Sequence, residues 1–215
     1  MDNASRASIL ARVRQSQIRG FIPESPQGLP DELVAKKIDS ADLMFRLQEE
    51  FNLLGVKNFI ENSEAAVRDR VKNLIAGKSV LSWDLDQLPY NLGKGLEKSL
   101  QGQTVYYGRD PKQDQAKAEI GLTGCEAVLA ETGSLAMISS AGKPRTASLL
   151  PYVHVVVIRR ADIVLGMGEF FGKFKARESL PYLVFITGPS RTADIELSLT
   201  LGVHGPGEVI AVIGP

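Results

Sequence analysis

The chain has 215 residues, of which 44% are hydrophobic and 23% charged, and its 25 lysines and arginines balance 25 aspartates and glutamates. This composition is typical of a folded globular domain, and the lack of a basic excess argues against nucleic acid or an anionic membrane surface as a partner. With one cysteine and two histidines, the chain lacks the ligands for a zinc finger or for an iron–sulfur cluster held by four thiolates. No apolar run approaches the roughly 18 residues of a membrane span, and the first residues lack the apolar core of a secretory signal, so we expect a cytoplasmic protein.

The N-terminal residues predict an arm that is separate from the main domain. Apolar residues near helical spacing indicate an amphipathic helix within residues 1–19. Residues 20–38 begin with a stretch rich in proline and glycine, which neither a helix nor a central strand accommodates. We therefore predict an N-terminal helix (1–19), a Pro-rich linker (20–38) and one α/β domain (39–215).

The first part of that domain alternates predicted helices and strands. Residues 39–54 place their apolar side chains on one helical face, and Gly55 is suited to end this helix. The elements predicted next are a strand at 56–60, a helix that Asn62 or Ser63 caps and that ends at Gly77, and a strand at 79–82.

The second half contains short apolar runs rich in β-branched residues, which are typical of strands buried on both faces of a parallel or mixed sheet. These runs are residues 127–130, 135–138, 153–158, 182–187 and 208–213. Helical stretches are predicted at 112–122, at 146–150 and from Arg160 onward. The alternation predicts an α/β fold, a three-layer α/β/α sandwich with a mostly parallel sheet.

Two glycine-rich segments fall short of the dinucleotide-binding fingerprint. Gly166-Met-Gly168 and Gly93-Lys-Gly95 both lack the third glycine, which permits close packing of a helix on a strand. The sequence also has no phosphate-binding P-loop motif. No cofactor motif and no metal motif is therefore evident in this chain.

A polar interruption at Glu131, Thr132 and Gly133 separates two of the apolar runs. The favoured interpretation is a hairpin turn in which Gly133 supplies a positive φ. The alternative is the polar floor of a pocket, to which Thr123 and Glu126 would also contribute.

A second polar segment follows the apolar run at 182–187. The backbone N–H groups around Gly188 and Ser190 could face an anion there, with Thr192 and Asp194 supplying a hydroxyl and a carboxylate. The simpler interpretation is capping of a helix by Ser190 or Thr192. Strict alternation of apolar residues from Ile195 to Val203 favours a strand instead, so we expect at most one helical turn at 191–195 and extended chain after it.

Five other side chains carry candidate chemistry. His204, in a glycine-rich loop, is the best general acid–base candidate because histidine titrates near neutral pH, although a lone loop histidine is more often structural. His154 reads as a core strand residue, and Cys125 as an inert buried thiol unless a histidine lies beside it. For Lys143 and Arg145, binding of an anion and simple exposure to solvent are equally favoured interpretations.

Four short motifs in a fixed order resemble the LUD domain, and within it the lactate-utilisation protein C family, over residues 40–215. They are Glu-Thr-Gly at 131–133, Leu-Leu-Pro-Tyr-Val-His at 149–154, Gly-Pro-Ser-Arg-Thr-Ala-Asp-Ile-Glu at 188–196 and Gly-Val-His-Gly-Pro at 202–206. The N-terminal helix also resembles that of the same family.

The resemblance implies a fold similar to the NagB/RpiA/CoA-transferase-like group. It also implies a role in oxidising L-lactate to pyruvate beside partner proteins that carry iron–sulfur clusters. The motif positions are expected to line a site for a small organic anion, with Glu131 and His204 as catalytic candidates. The ligand-binding candidates are Thr123, Glu126, Thr132, Gly133, Arg145, Gly188, Ser190, Thr192, Asp194, Glu196 and Gly205.

Three functions stay open at this point. The first is a non-redox subunit of an L-lactate oxidation system, which binds an organic anion or cofactor or helps to assemble an iron–sulfur lactate dehydrogenase complex. The second is a stand-alone transferase or ligase of the same fold group, in which Glu131 would act as the nucleophile. The third is a scaffold without chemistry, in which the arm at 1–31 contacts partners.

Overall fold

The computed structural model describes residues 3–19, 42–96, 100–174, 182–193 and 199–215. The chain divides into two compact units, Met1–Val34 and Ala35–Pro215. The first unit contains helix α1 (Asn3–Arg19), on which Ile9 and Leu10 are exposed. The linker predicted at 20–38 lies outside the described residues. No helix in the described part of the chain is long and apolar enough to cross a membrane.

The second unit holds the remaining elements. Its helices are α2 (Leu43–Leu54), α3 (Glu64–Ile75), α4 (Leu92–Leu96), α5 (Lys112–Gln115) and α6 (Met167–Phe174). Its strands are β1 (Lys57–Ile60), β2 (Val80–Ser82), β3 (Val105–Tyr106), β4 (Ile120–Thr123), β5 (Ala127–Leu129), β6 (Ser134–Ile138), β7 (Val153–Arg159), β8 (Ile163–Val164), β9 (Leu183–Ile186), β10 (Arg191–Ala193), β11 (Leu199–Leu201) and β12 (Glu208–Gly214).

Local signals in the sequence account for the bounds of the first helices. Leu47 and Phe51 form the fully buried face of α2, and Gly55, at φ +75°, ends the helix. The left-handed conformation at this position is one that glycine adopts without steric cost. The N-terminus of α3 is capped by Ser63, whose hydroxyl accepts a hydrogen bond from the Ala66 N–H at 3.2 Å. The predicted helix at 39–54 is confirmed from Leu43 onward, residues 39–41 lying outside the described residues, and the predicted helix after Ser63 is confirmed.

Six strands form the main sheet in the order β1-β12-β7-β4-β2-β3, and every neighbouring pair is parallel. The longest pairing joins β12 to β7, from Glu208 beside Val153 to Gly214 beside Arg159. Residues 155–158 and 209–213, in these two strands, are all buried. Strands of this kind must be covered on both faces, which explains their continuous apolar sequences. The predicted α/β fold with a mostly parallel sheet is confirmed.

Three of the apolar runs lie outside the main sheet. A four-stranded sheet in the order β8-β5-β6-β9 contains them, with antiparallel β5–β6 and β6–β9 pairs and a parallel β5–β8 pair. The β5–β6 hairpin turns at Gly133, which has φ +65°. The hairpin interpretation of this segment is therefore confirmed. A further antiparallel pair joins β10 to β11, so the helical turn expected at 191–195 is wrong over Arg191–Ala193, which form a strand.

Three predicted helical stretches are mostly wrong. The stretch at 112–122 contains only the short α5 and then enters β4, which lies between β7 and β2 at the centre of the main sheet. The stretch at 146–150 is a 3-10 turn at Arg145–Ser148. The chain from Arg160 forms a 3-10 turn and β8 before α6 begins. Long-range sheet pairing overrides the local helical pattern in β4.

Gly121 allows the Arg145–Ser148 turn to lie directly on the main sheet. A β-carbon at position 121 would collide with the carbonyl oxygen of Ala147. The obstacle is backbone, which cannot swing aside as a flexible side chain can. The glycine therefore sets the distance between this turn and β4.

Replacing Gly121 with alanine should destabilise the second unit by about 3 kcal/mol, because the turn or the strand must move to admit the methyl group. Chemical denaturation of the variant measures this change. Gly172→Ala, inside α6, is the matched control, since no atom of the described residues outside its own helix backbone and chain neighbours lies within 4 Å of the added carbon. The control should gain roughly 0.5 kcal/mol from its higher helix propensity. Equal stability of G121A and the parent protein would contradict the packing argument.

A buried polar pair lies in the same part of the sheet. His154 in β7 is fully buried, and its Nε2 lies 2.8 Å from the hydroxyl of Thr123 at the end of β4. The Nδ1 atom of His154 is buried and has no hydrogen-bond partner among the described residues. Burial lowers the pKa of His154 to about 4, because desolvation disfavours the charged imidazolium. His154 is therefore a neutral core residue at physiological pH.

This burial makes the stability of the protein depend on pH. The unfolded chain protonates His154 below about pH 6.5, whereas the folded protein does so only near pH 4. Between these values the unfolded state binds more protons, so the free energy of unfolding falls as the pH falls, by about 3 kcal/mol in total from this group. Denaturation of the parent protein and of His154→Gln from pH 7 to pH 4 measures the contribution. An NMR signal of a charged His154 ring at pH 5.5 would contradict it.

Candidate functional site

The carboxyl ends of β2, β4 and β7 meet at one edge of the main sheet, because these strands are parallel neighbours. Trp83 directly follows β2, residues 124–126 follow β4, and Arg159 ends β7. In open α/β sheets, ligands bind beyond this edge. The topology therefore brings residues that are far apart in the sequence to the usual position of a binding site.

A cavity of about 240 Å³ lies at this edge. Its lining residues are Trp83, Asp86, Gln87, Leu88, Pro89, Gly124, Cys125, Glu126, Lys143 and Arg159. A second hollow of about 320 Å³ is lined by chain neighbours of these residues, among them Asp84, Gly142 and Pro144, together with Arg109. Pockets for drug-sized ligands usually occupy about 300–1,000 Å³, so the first cavity suits a small metabolite.

Lys143 reaches the cavity from a tight turn at residues 140–143. Backbone hydrogen bonds run in both directions between Ser140 and Lys143, at 3.0 and 3.3 Å, and Gly142 has φ +77°. The carbonyl oxygen of Gly142 accepts a hydrogen bond from the Asp84 N–H at 2.7 Å. This bond ties the turn to the chain that leaves β2, so the position of Lys143 is fixed relative to the sheet edge.

Lys143 forms an ion pair with Glu126 inside this site. The Lys143 ammonium lies 2.5 Å from Oε1 of Glu126, and the two side chains are only 20% and 21% exposed. The same ammonium lies 4.9 Å from the centre of the Trp83 ring. A cation held over an aromatic face gains electrostatic attraction that grows as water is removed. The cavity thus presents a neighbouring donor and acceptor of opposite charge beside an aromatic wall.

A second cation on the cavity wall is Arg159. Its Nε and Nη2 donate to the carboxylate of Asp162 at 2.7 and 3.1 Å. These hydrogen bonds to Asp162 raise the pKa of Arg159 above its ordinary value. A guanidinium held on one side by a carboxylate has a defined orientation and keeps Nη1 outside that pair.

Cys125 also lines the cavity but has no nucleophilic character. The residue is buried, and burial raises the pKa of its thiol, with the charges of Asp162 and Glu126 acting in the same direction. The thiolate is the reactive form, so this thiol is inert at neutral pH. The two histidines have other surroundings than this thiol. Nε2 of His154 lies 2.8 Å from the Thr123 hydroxyl, and His204 is exposed on the loop before β12.

The predicted site residues fall into three groups, of which the second and third are neighbours joined by residues 188–191. The first lies at the carboxyl edge, where Thr123 ends β4 and Glu126 lines the cavity. Arg145 begins the nearby 3-10 turn and stacks on the Tyr182 ring, with its guanidinium carbon 4.6 Å from the ring centre.

The second group surrounds the C-terminal end of α2. The hydroxyls of Thr132, Ser134 and Thr187 form a chain with 2.8 Å between successive oxygens. Gly133 and Gly188 both have positive φ and both pack against Leu54. These glycines therefore seat the end of the helix.

Two neighbours complete this second group. The carboxylate of Glu131 packs against Gly166, next to the start of α6. Arg191 donates to the carbonyl oxygen of Leu54 at 2.5 Å, so the chain after Gly188 is also tied to α2.

The third group lies at the opposite edge of the main sheet, where β12 begins. The Ser190 N–H donates to the carbonyl oxygen of Pro206 at 2.8 Å, and the Gly202 N–H donates to that of Ser190 at 3.0 Å. Gly205 packs closely on the Ser190 side chain, and His204 next to it is exposed. This loop pairing brings the two C-terminal motifs together, but not to the cavity.

Three predicted positions cannot be placed as side chains. Thr192 lies in β10, and at this position only the backbone is described. Asp194 and Glu196 lie outside the described residues.

Sequence reasoning missed Trp83 and Arg159 as site residues, and weighed Lys143 without assigning it. A usable signal was present, since Trp83 and Arg159 each stand at the carboxyl end of a short apolar strand. Lys143 carries no such signal, because its approach to Glu126 depends on the fold of the 140–143 turn.

Comparisons with known proteins give one consistent family. The sequence model of the LUD domain matches residues 45–213. A Lactate utilization protein C from Shouchella clausii is 31% identical over 209 residues, which cover 93% of this chain and 90% of the relative. Another from Anoxybacillus flavithermus is 32% identical over 164 residues, covering 72% and 73%. A third, from Bacillus subtilis, is 31% identical over 66% of this chain and 64% of its own length.

A solved structure supports the fold. The crystal structure of a DUF162 family protein from Deinococcus radiodurans is similar with a TM-score of 0.64 and 21% identity, covering 83% of this chain and 99% of that one. At this identity the likeness concerns the fold alone. The domain match and the relatives together show that the chain belongs to the LUD domain family, as the resemblance of its motifs predicted.

Proposed function

We propose that this chain is a non-redox component of an L-lactate oxidation system, in which it binds a small organic anion at the carboxyl edge of its main sheet. The observation that carries the proposal is 31% identity, over 93% of the chain, to a protein named Lactate utilization protein C. The match extends over nearly the whole length of both proteins, so it is not restricted to one shared motif.

The chemistry of lactate oxidation supports a division of labour. Conversion of lactate to pyruvate releases two electrons and two protons, which an electron carrier must accept. This chain has one cysteine, and a cluster held by four thiolates cannot be built from it. We therefore propose that partner proteins carry iron–sulfur clusters and that this chain binds the organic acid or assists assembly.

The cavity supports the binding part of the proposal. Lys143 and Arg159 supply two cations on a wall that also carries Asp86 and Glu126, and Nη1 of Arg159 lies outside the pair with Asp162. Its position beyond the carboxyl ends of β2, β4 and β7 is where α/β sheets bind ligands. Partial burial strengthens the electrostatic interactions of Lys143, its pair with Glu126 included, relative to those of a solvated lysine.

Reduction of an artificial electron acceptor by L-lactate should depend on this chain when its partner proteins are supplied. Omitting the chain should remove the activity, and Lys143→Ala should lower it at least about tenfold by weakening anion binding. The matched control is Lys57→Ala, because Lys57 also pairs with a glutamate, at 2.6 Å from Glu208, and does not line the cavity. Full activity without the chain would exclude the proposed role.

The assembly part of the proposal concerns α1. Ile9 and Leu10 are exposed, at 55% and 43%. If this helix contacts a partner protein, the double change of Ile9→Asp and Leu10→Asp should abolish co-purification with the partners, because charged groups cannot be buried unpaired. Gln15→Asp, at an exposed position of the same helix, should leave association intact. Unchanged association of the double variant would show that α1 is not the contact.

A further inference from the structure

The ion pair of Lys143 and Glu126 defines what kind of ligand fits between its members. An ammonium group only donates hydrogen bonds, and an ionised carboxylate only accepts them. Both side chains are about four-fifths buried, so water satisfies them poorly once they are separated. A ligand anion that draws Lys143 away from Glu126 must therefore also offer a hydrogen-bond donor to that carboxylate.

We propose that the cavity recognises a 2-hydroxy carboxylate in preference to the corresponding 2-oxo acid. The ligand carboxylate accepts hydrogen bonds from Lys143 and from Nη1 of Arg159, and its hydroxyl donates to Glu126. The inference rests on the proposed function for the choice of lactate as probe, and otherwise on the residues that line the cavity and on their ion pair.

Selectivity against the 2-oxo acid follows from the acceptor character of Glu126. A keto oxygen carries no proton, so it would place an acceptor against the Glu126 carboxylate. An alkanoate without a substituent at carbon 2 brings a second carboxylate to Lys143 and offers Glu126 no donor in exchange. Leaving a buried charged acceptor unpaired costs more than a neutral hydrogen bond returns. Both analogues are therefore disfavoured relative to the hydroxy acid.

Arg159 completes the recognition of the carboxylate group. Two of its nitrogens are engaged by Asp162, which fixes the guanidinium plane before the ligand arrives. A preorganised donor loses less side-chain entropy on binding than a free one. The ligand carboxylate thus meets one cation fixed by Asp162 and one held by Glu126.

The apolar part of the cavity limits the length of the ligand. Leu88 and Pro89 stand on the wall with Trp83, and the cavity occupies about 240 Å³. A methyl or another short alkyl group fits against these side chains. The class of ligand is therefore a small 2-hydroxy acid such as lactate.

Trp83 provides a direct probe, because it is the only tryptophan of the chain and Lys143 lies over its ring. The full-length protein is titrated with L-lactate, pyruvate and propionate at low ionic strength, by tryptophan fluorescence and by calorimetry. Calorimetry covers the case in which binding leaves the fluorescence unchanged. L-lactate should bind at least about tenfold more tightly than pyruvate or propionate, because a hydrogen bond to a charged group is at stake.

Two variants separate the roles of the ion pair. In Glu126→Gln, the amide both donates and accepts, so the preference for L-lactate over pyruvate should fall to within about twofold. In Lys143→Ala, all three acids should bind at least about tenfold more weakly, because the cation that pairs with their shared carboxylate is gone. Glu208→Gln and Lys57→Ala alter the ion pair at 2.6 Å outside the cavity, and both should keep the parent selectivity.

Three results would overturn the inference. They are equal affinity of the parent protein for L-lactate and propionate, an unchanged lactate preference in Glu126→Gln, and no binding of any of the three acids. The acceptor-reduction assay separates this failure from failure of the proposed function. If lactate oxidation requires the chain but lactate does not bind it selectively, the function stands and the inference fails. If lactate binds selectively but its oxidation does not require the chain, the inference stands and the proposed function fails.

Discussion

The parallel pairing of β2, β4 and β7 is the constraint on which the candidate site depends. It places Trp83, Glu126 and Arg159 at one edge, although they span more than a third of the chain. Parallel strands cannot be joined by tight turns, so each connection crosses the sheet and returns to the same starting edge. The carboxyl edge is therefore where the connections after all three strands begin, and the cavity forms between these connections.

The four-stranded sheet leads into the segment that brings Lys143 to the cavity. Its strand β6 ends at Ile138, and the chain then makes the 140–143 turn that carries Lys143 to the cavity. The chain continues into the Arg145–Ser148 turn, which lies on β4 because position 121 has no side chain. Gly121 and the hydrogen bond from Asp84 to Gly142 thus hold the two ends of one segment against the main sheet. The position of Lys143 depends on this double attachment rather than on its own contacts.

The sequence predicts many of the strands and turns, but not which of them contact one another in the fold. The apolar runs at 153–158 and 208–213 are strands, and Gly133 forms the predicted hairpin turn, because local composition and φ preferences determine these features. The run at 182–187 is also a strand, but it belongs to the four-stranded sheet. The rule that ligands bind beyond the carboxyl ends of parallel strands therefore does not extend to the loop after it. Nothing in the composition of this run indicates which sheet it joins.

The motif residues divide for the same reason. Glu-Thr-Gly and Gly-Pro-Ser meet around Leu54, and the Gly-Val-His-Gly-Pro loop meets Ser190 at the amino edge. Their glycines have physical reasons of their own, in seating α2 and in forming tight loops. Among the predicted ligand-binding residues that the structure describes, only Glu126 lines the carboxyl-edge cavity. Thr123 lies nearby, at the end of β4. Sequence order alone does not show which of these motifs meet in space.

In the proposed anion site, the ion pair of Lys143 and Glu126 offsets the cost of removing a charged lysine from water. A lone lysine in a half-buried cavity would lose hydration without compensation, whereas Glu126 neutralises it before a ligand binds. The same carboxylate then opposes any anion that binds without a donor, because the incoming charge must displace it or remain beside it. A hydroxy acid avoids this conflict, since its hydroxyl satisfies Glu126 while its carboxylate satisfies Lys143. Stability of the site before binding and selectivity for the ligand class therefore arise from one pair of side chains.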